Sequence, residues 1–267
     1  MSRRIAAVIL DLSGTTVDPY VLAPTLAIKS AFAKYNIDVS SKLVRKYMGI
    51  RKDHHINRIL DHNDVRTAWE TVHNTTPKPK IEGKMLFSAL MNELPEAVNK
   101  FCQPTPGTVE AFEELRRMDI KIGASTGFDR KIVNLLQPLL EKQDVVFDSI
   151  VAGGDVPRSN RPLPWMLYQN MFDLGVNDVR QVVKVDDTRS GILEGKFAGA
   201  TASVGVARYS NYMGVDSLFH ASQLKNEALE ARARDSADIL RNAGADHVMA
   251  DLSELPELIR QINDGVN

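Results

Sequence analysis

Five short runs of Val, Ile, Leu and Ala punctuate the chain at residues 5–10, 120–125, 149–152, 181–185 and 201–206. They lack the strict alternation of a half-exposed strand, and runs apolar on both faces suit a parallel sheet covered on both sides. Between them apolar residues return with the helical period. Ile132, Leu135, Leu136, Leu139 and Leu140 fall on one stripe, and residues 164–175 open on a proline and stop at Gly175. This alternation of strand and helix predicts a doubly wound, Rossmann-like α/β core. One stretch breaks it. From about Pro19 to Phe101 only helical signals occur, including Ile28, Phe32 and Tyr35, with residues 74–80 as a loop between helices. The pattern predicts an all-helical cap domain (19–102) inserted into a core made of 1–18 and 103–267. Residues 225–244 read as a surface helix, and Trp69 and Trp165 as packing.

Composition narrows the function. A chain of 267 residues buries roughly three quarters of its unfolded surface, enough for a core with a companion domain. With 43% hydrophobic and 25% charged residues and a formal net charge of −1, neither disorder nor polyanion binding is favoured, so the expected partner is a small molecule and not a nucleic acid. Cys102 stands alone, which excludes an internal disulfide and suits a reducing compartment. The apolar run near the N-terminus meets Asp11 after about six residues, too few for a signal core or a membrane span. The expectation is a cytoplasmic protein with no membrane segment.

Ligands of an open parallel sheet gather at the carboxyl ends of its strands. Asp11, Ser13 and Thr15 follow the first run, Ser125 and Thr126 end and follow the second, Arg161 comes after the third, and Asp186 and Asp187 follow the fourth. Carboxylates collect a hard cation such as Mg²⁺ through oxygen, while Arg, hydroxyls and loop amides hold phosphate oxygens. An Asp beside such a cation can attack phosphorus and carry it as an acyl phosphate. No GxxxxGK[ST] occurs and no GxGxxG follows a strand, so the phosphoryl chemistry predicted here lacks a nucleotide loop.

These residues, with the segments DLSGTTVD, YMGIRKDHH, IGASTGFDRK and KVDDTRSGILEGKFAG, resemble the haloacid dehalogenase superfamily, whose four motifs would be Asp11, Thr126, Arg161 and the Asp186–Asp187 pair. Within it the sequence is most similar to the phosphonatase family, over nearly the whole chain. The resemblance implies that Asp11 is the nucleophile, and that Mg²⁺ is held by Asp11, the carbonyl of Ser13 and an acid of the Asp186–Asp187 pair. It further implies that Lys52 in the cap forms a Schiff base with a phosphonate aldehyde, with Met48 beside it and His55 moving protons. Ser13, Thr126, Gly127 and Arg161 would bind the phosphonate, and the chain would form a homodimer through its cap. Many relatives carry a further Asp at the slot of Gly191, so Asp186 is expected to substitute for it. Phe128 replaces a frequent Tyr, Ser13 a frequent Ala, and Val21 and Leu22 stand where a Cys is common. A phosphatase of this superfamily usually has Asp at the position of Ser13, to protonate an alkoxide leaving group. A departing carbanion needs an electron sink instead, which an iminium on Lys52 supplies. The alternative is a Mg²⁺-dependent phosphatase of a small phosphate ester, in which Lys52 only binds.

Overall fold

The computed structural model describes residues 4–158 and 160–265. Its six strands are β1 (Ala7–Leu10), β2 (Lys121–Ser125), β3 (Ser149–Val151), β4 (Val182–Asp186), β5 (Ala202–Val206) and β6 (His247–Met249). All pair in parallel, in the order β3-β2-β1-β4-β5-β6. β1, β4 and β5 are buried throughout, as expected of strands with helices on both faces. Val8 of β1 lies between Ile122 and Val183. The strand order reverses beside β1: the chain runs outward to β2 and β3, then returns to place β4 on the other side. The crevice at the carboxyl ends of β1 and β4 is therefore the topological switch point where such sheets take ligands.

No strand interrupts residues 19–101, which fold as α1 (Leu22–Ala33), α2 (Ser41–Lys46), α3 (Lys52–Leu60), α4 (Asn63–His73) and α5 (Lys84–Lys100). α1 packs along α5. Around the sheet lie α6 (Thr108–Arg117), α7 (Arg130–Glu141), α8 (Trp165–Leu174), α9 (Arg189–Ala198), α10 (Leu218–Gln223), α11 (Asn226–Asn242) and α12 (Leu255–Asp264). One apolar cluster runs from Leu10 and Val183 of the sheet through Val21 to Ile28, Phe32 and Ile56 of the helical block. Cap and core thus share buried surface. No described helix is long and apolar enough to cross a membrane.

Several elements differ from the sequence reading. β6 was not anticipated, because three residues between Asp246 and Ala250 carry too little pattern to mark a strand. The buried stripe of α7 is Ile132, Val133, Leu136 and Leu140, whereas Leu135 is 44% exposed. Trp69 packs with its ring 5.7 Å from that of Tyr35, but Trp165 is 43% exposed on α8 and is not core packing. The loop expected at 74–80 ends early, in a wide helical turn, Pro79–Gly83, that leads into α5.

Candidate active site

Where β1 ends, the amide of Asp11 still donates to Val185 at 3.0 Å, and the next residues close a tight turn in which the amides of Thr15, Thr16 and Val17 all donate to the Leu12 carbonyl. Asp186 closes β4 and Asp187 follows it. Each of Asp11, Asp186 and Asp187 offers an oxygen within 4.8 Å of the others, and all three are buried. Burial, followed by the charge of Asp186, pushes Asp11 up to about 6. Asp187 is likewise raised well above the usual carboxylate range by burial and by its two acidic neighbours. Burial works the same way on Asp186, but Lys184, Arg161 and bonds from Lys184 and Thr188 outweigh it and hold this carboxyl below its ordinary value.

The hydrogen bonds divide the three acids. Asp186 Oδ2 lies 2.9 Å from Lys184 Nζ and 3.2 Å from Arg161 Nη1, and its Oδ1 accepts from the amide and hydroxyl of Thr188. Asp187 accepts from the Asn211 amide at 2.7 Å and, weakly, from the Thr15 hydroxyl at 3.3 Å, with its own backbone amide also turned to the carboxylate. Oxygen-only donors, two of them driven toward protonation by burial and by their acidic neighbours, fit a hard divalent cation that would relieve the repulsion. Free lone pairs for such an ion lie on Asp11 and Asp187, whereas those of Asp186 are committed. Gly191, in the first turn of α9, lies directly under the Asp186 carboxylate, and a Cβ at that glycine would overlap it. Asp186 therefore fills the space that a side chain at position 191 would need.

The guanidinium of Arg161, to which the resemblance gives phosphate binding, is buried behind Asp11, with its N–H groups turned to protein acceptors. It donates to Asp11 Oδ1 at 2.8 Å, to Glu194 Oε2 at 2.9 Å, to the hydroxyl of Ser125 at 2.8 Å and to the carbonyl of Ser125, and reaches the carbonyl of Gly49 at 3.3 Å. In this arrangement Arg161 orients Asp11 and Asp186 and does not line the reaction pocket. Burial opposes its charge, but the carboxylates of Asp186, Glu194 and Asp11 more than offset that and keep it protonated. Two further members escaped the sequence reading. Lys184 carried a signal, a lone cation inside an apolar strand. Glu194, which also accepts from Ser125 at 2.9 Å, carried none, because a glutamate on a helix is ordinary.

A small cavity of about 20 Å³ above the carboxylates is lined by Asp11, Ser13, Met48, Lys52, Thr126 and Gly127, together with Phe128 and Thr188. That is room for a single water, so the pocket in this closed arrangement does not hold a substrate of several heavy atoms. Gly127 permits the close approach: a Cβ there would strike the carbonyl of Ile50 in the cap. Thr126 turns its hydroxyl to the amide of Phe128, accepting at 3.2 Å. Ser13 is buried, and its side chain bonds the carboxyl of Asp18, which burial nevertheless raises well above the usual carboxylate range.

Lys52 is the first residue of α3 and is 6% exposed. Its Nζ lies 3.9 Å from Met48 Sδ and 5.2 Å from the centre of the Phe128 ring. Burial lowers its pKa to about 8 against the opposing pull of Asp11, and the positive end of the helix acts in the same direction as burial. His55 follows one turn later, fully buried. Burial and the neighbouring Lys52 hold its pKa down to about 3, so the ring is neutral. Its Nε2 donates to the Val44 carbonyl at 2.8 Å, which leaves Nδ1 as a buried acceptor without a partner among the described residues. His54, by contrast, is exposed.

A parallel sheet with clustered carboxylates at the ends of β1 and β4, a Thr after β2 and a buried cation reaching in from α8's loop defines a class of phosphoryl-handling hydrolases. Residues 8–205 match the family model of the haloacid dehalogenase-like hydrolases. The chain is 33% identical over 263 residues to a phosphonoacetaldehyde hydrolase of Parabacteroides distasonis, covering 98% of both chains. It is 35% identical to one of Klebsiella pneumoniae, covering 97% of this chain and 96% of the relative. The crystal structure of a phosphonoacetaldehyde hydrolase-like protein from Oleispira antarctica superposes with a TM-score of 0.94 at 30% identity, over 99% of this chain and 95% of that one. The chain belongs to the haloacid dehalogenase-like hydrolases and, within them, to the phosphonoacetaldehyde hydrolase family.

Proposed function

We propose that the protein hydrolyses the carbon–phosphorus bond of phosphonoacetaldehyde to acetaldehyde and phosphate. The observation that carries this reading is the Lys52 amine, buried, lowered to about 8 and lining the same small cavity as Asp11. Uncharged lysine attacks the aldehyde carbon, and water leaves to give an iminium. The unpartnered Nδ1 of His55 takes and returns the protons of that exchange. Asp11 then attacks phosphorus. The carbon–phosphorus bond breaks, its electron pair moves into the iminium to form an enamine, and the phosphoryl group passes to the Asp11 carboxylate. Protonation of the enamine carbon and hydrolysis release acetaldehyde and free Lys52, and water cleaves the acyl phosphate. Arg161 holds Asp11 in line, and Thr126 and Gly127 offer a hydroxyl and an amide to the phosphonate oxygens. Mg²⁺, held by Asp11, Asp187 and the Ser13 carbonyl, would neutralise the phosphonate charge that otherwise repels the nucleophile. Ser13 supplies no acid, and none is needed for a carbon leaving group.

The test is acetaldehyde appearing in step with phosphate when the protein is given phosphonoacetaldehyde and Mg²⁺. Phosphate release from small esters without any acetaldehyde from the phosphonate would assign it instead to ester hydrolysis. The reading includes the reducing cytoplasm suggested by the lone Cys102 and a homodimer. Ile81 and Met85 are exposed on the cap, and Trp165, Tyr168 and Phe172 are exposed on α8. Sedimentation of Met85→Glu and Phe172→Glu variants distinguishes the two surfaces.

A further inference from the structure

A second cavity, of about 450 Å³, shares only Met48 with the reaction pocket. Its wall carries Lys46, Arg58 and Arg189, with His54 beside them and the ion-paired Arg161 at its inner end, and no Asp or Glu. Several surface arginines are neutralised by acids, as in Arg51–Asp53, Arg130–Asp155 and Arg208–Glu230. The side chains of Arg58 and Arg189 have no ion pair or hydrogen bond among the described residues, and Lys46 meets only the ring of Tyr47, at 5.3 Å. Three unneutralised cations around a cleft backed by Tyr47, Ile50, Leu193 and Tyr212 focus a positive field into a concave, partly apolar space.

We propose that this cavity is a second oxyanion site that takes inorganic phosphate, separate from the site of reaction. Lys46 and Arg58 belong to the helical block and Arg189 opens α9 of the core. A phosphate dianion among them ties cap to core beside the Met48–Arg51 segment. That segment is already docked on the core, with Ser190 donating to the Met48 carbonyl and the Arg51 amide donating to Asn160, each at 3.3 Å. Since the reaction pocket is too small to admit a substrate while the cap is closed, occupancy here slows turnover without competing for Lys52 or Asp11. The inference does not depend on which bond the enzyme cleaves.

Equilibrium dialysis of radiolabelled phosphate, taken to about 10 mM, counts the bound ions directly. The Arg58→Glu/Arg189→Glu double variant is expected to bind one equivalent fewer than the wild-type chain and to keep its turnover at low phosphate. A Lys46→Glu variant should weaken the same equivalent at least tenfold. In rate measurements phosphate should lower kcat of the wild-type enzyme and leave that of the double variant unchanged. Equal stoichiometry in wild type and double variant, zero included, overturns the proposal.

Discussion

The amine of Lys52 stands 5.2 Å from the centre of the Phe128 ring. The two act oppositely on its proton: burial drives the lysine toward the neutral form, while the ring face favours the cation by ~0.5–1 kcal/mol. With a pKa of about 8, roughly one amine in ten is neutral at pH 7, compared with about one in three thousand for an ordinary lysine. The rate of phosphonate cleavage at low substrate should therefore rise with pH and level off above about 8. Phe128→Leu should move that limb to lower pH by about half a unit. A limb near 10, or none, would show that Lys52 is not the group being titrated.

Asp11→Asn should lose at least ~10³-fold in turnover, about 4 kcal/mol of barrier, because an amide neither attacks phosphorus nor holds the ion as a carboxylate does. The same variant should still fold, since Arg161 retains Glu194 and Ser125 as partners. Circular dichroism beside the rate assay checks both halves of this expectation.

Without metal, stability should depend on Asp11 in a definite direction. Its carboxyl is raised from 3.8 to about 6, so the folded chain binds this proton more tightly than the unfolded one. The associated stability is present below pH 4 and lost as pH rises through 6, by of order 3 kcal/mol. Asp187, raised by the same causes, adds to the trend. Mg²⁺ should restore the loss, and the gap in Tm between chelated and Mg²⁺-loaded protein should widen from pH 4 to 6. A gap that narrows over this range would contradict the ligand role of Asp11.

Gly191→Ala should destabilise the protein by about 1–3 kcal/mol through overlap with the Asp186 carboxylate. Moving the carboxylate, in the double variant Asp186→Gly/Gly191→Asp, should recover most of that stability. Denaturant melts of the three proteins test it. A neutral Gly191→Ala change would mean that the acid does not need this space.

The sheet and its ligand edge were legible because buried parallel strands leave continuous apolar runs and a polar residue ending such a run has few other reasons to be there; Asp11 and Asp187 are of this kind. Length set the limit: the three residues of β6 make no pattern. The charge network was legible only in part. Lys184 breaks an apolar run, but Glu194 is unremarkable until α9 is packed against β4, and the inward turn of Arg161 depends on Ser125 and Glu194, which are distant in sequence. Lys52 stood out by resemblance alone. What the fold adds is its burial and its place at the start of α3, the physical causes of its lowered pKa.

Reductive trapping tests the central claim most directly. Borohydride added during turnover of phosphonoacetaldehyde should reduce the iminium to a stable amine, inactivate the enzyme and leave an ethyl-type or phosphonoethyl-type mass increment on the peptide containing Lys52. Lys52→Arg keeps the charge but forms no imine, so it should bind the phosphonate, give no adduct and lose cleavage. An adduct on another lysine such as Lys46, or undiminished cleavage in the presence of borohydride, would contradict the role assigned to Lys52.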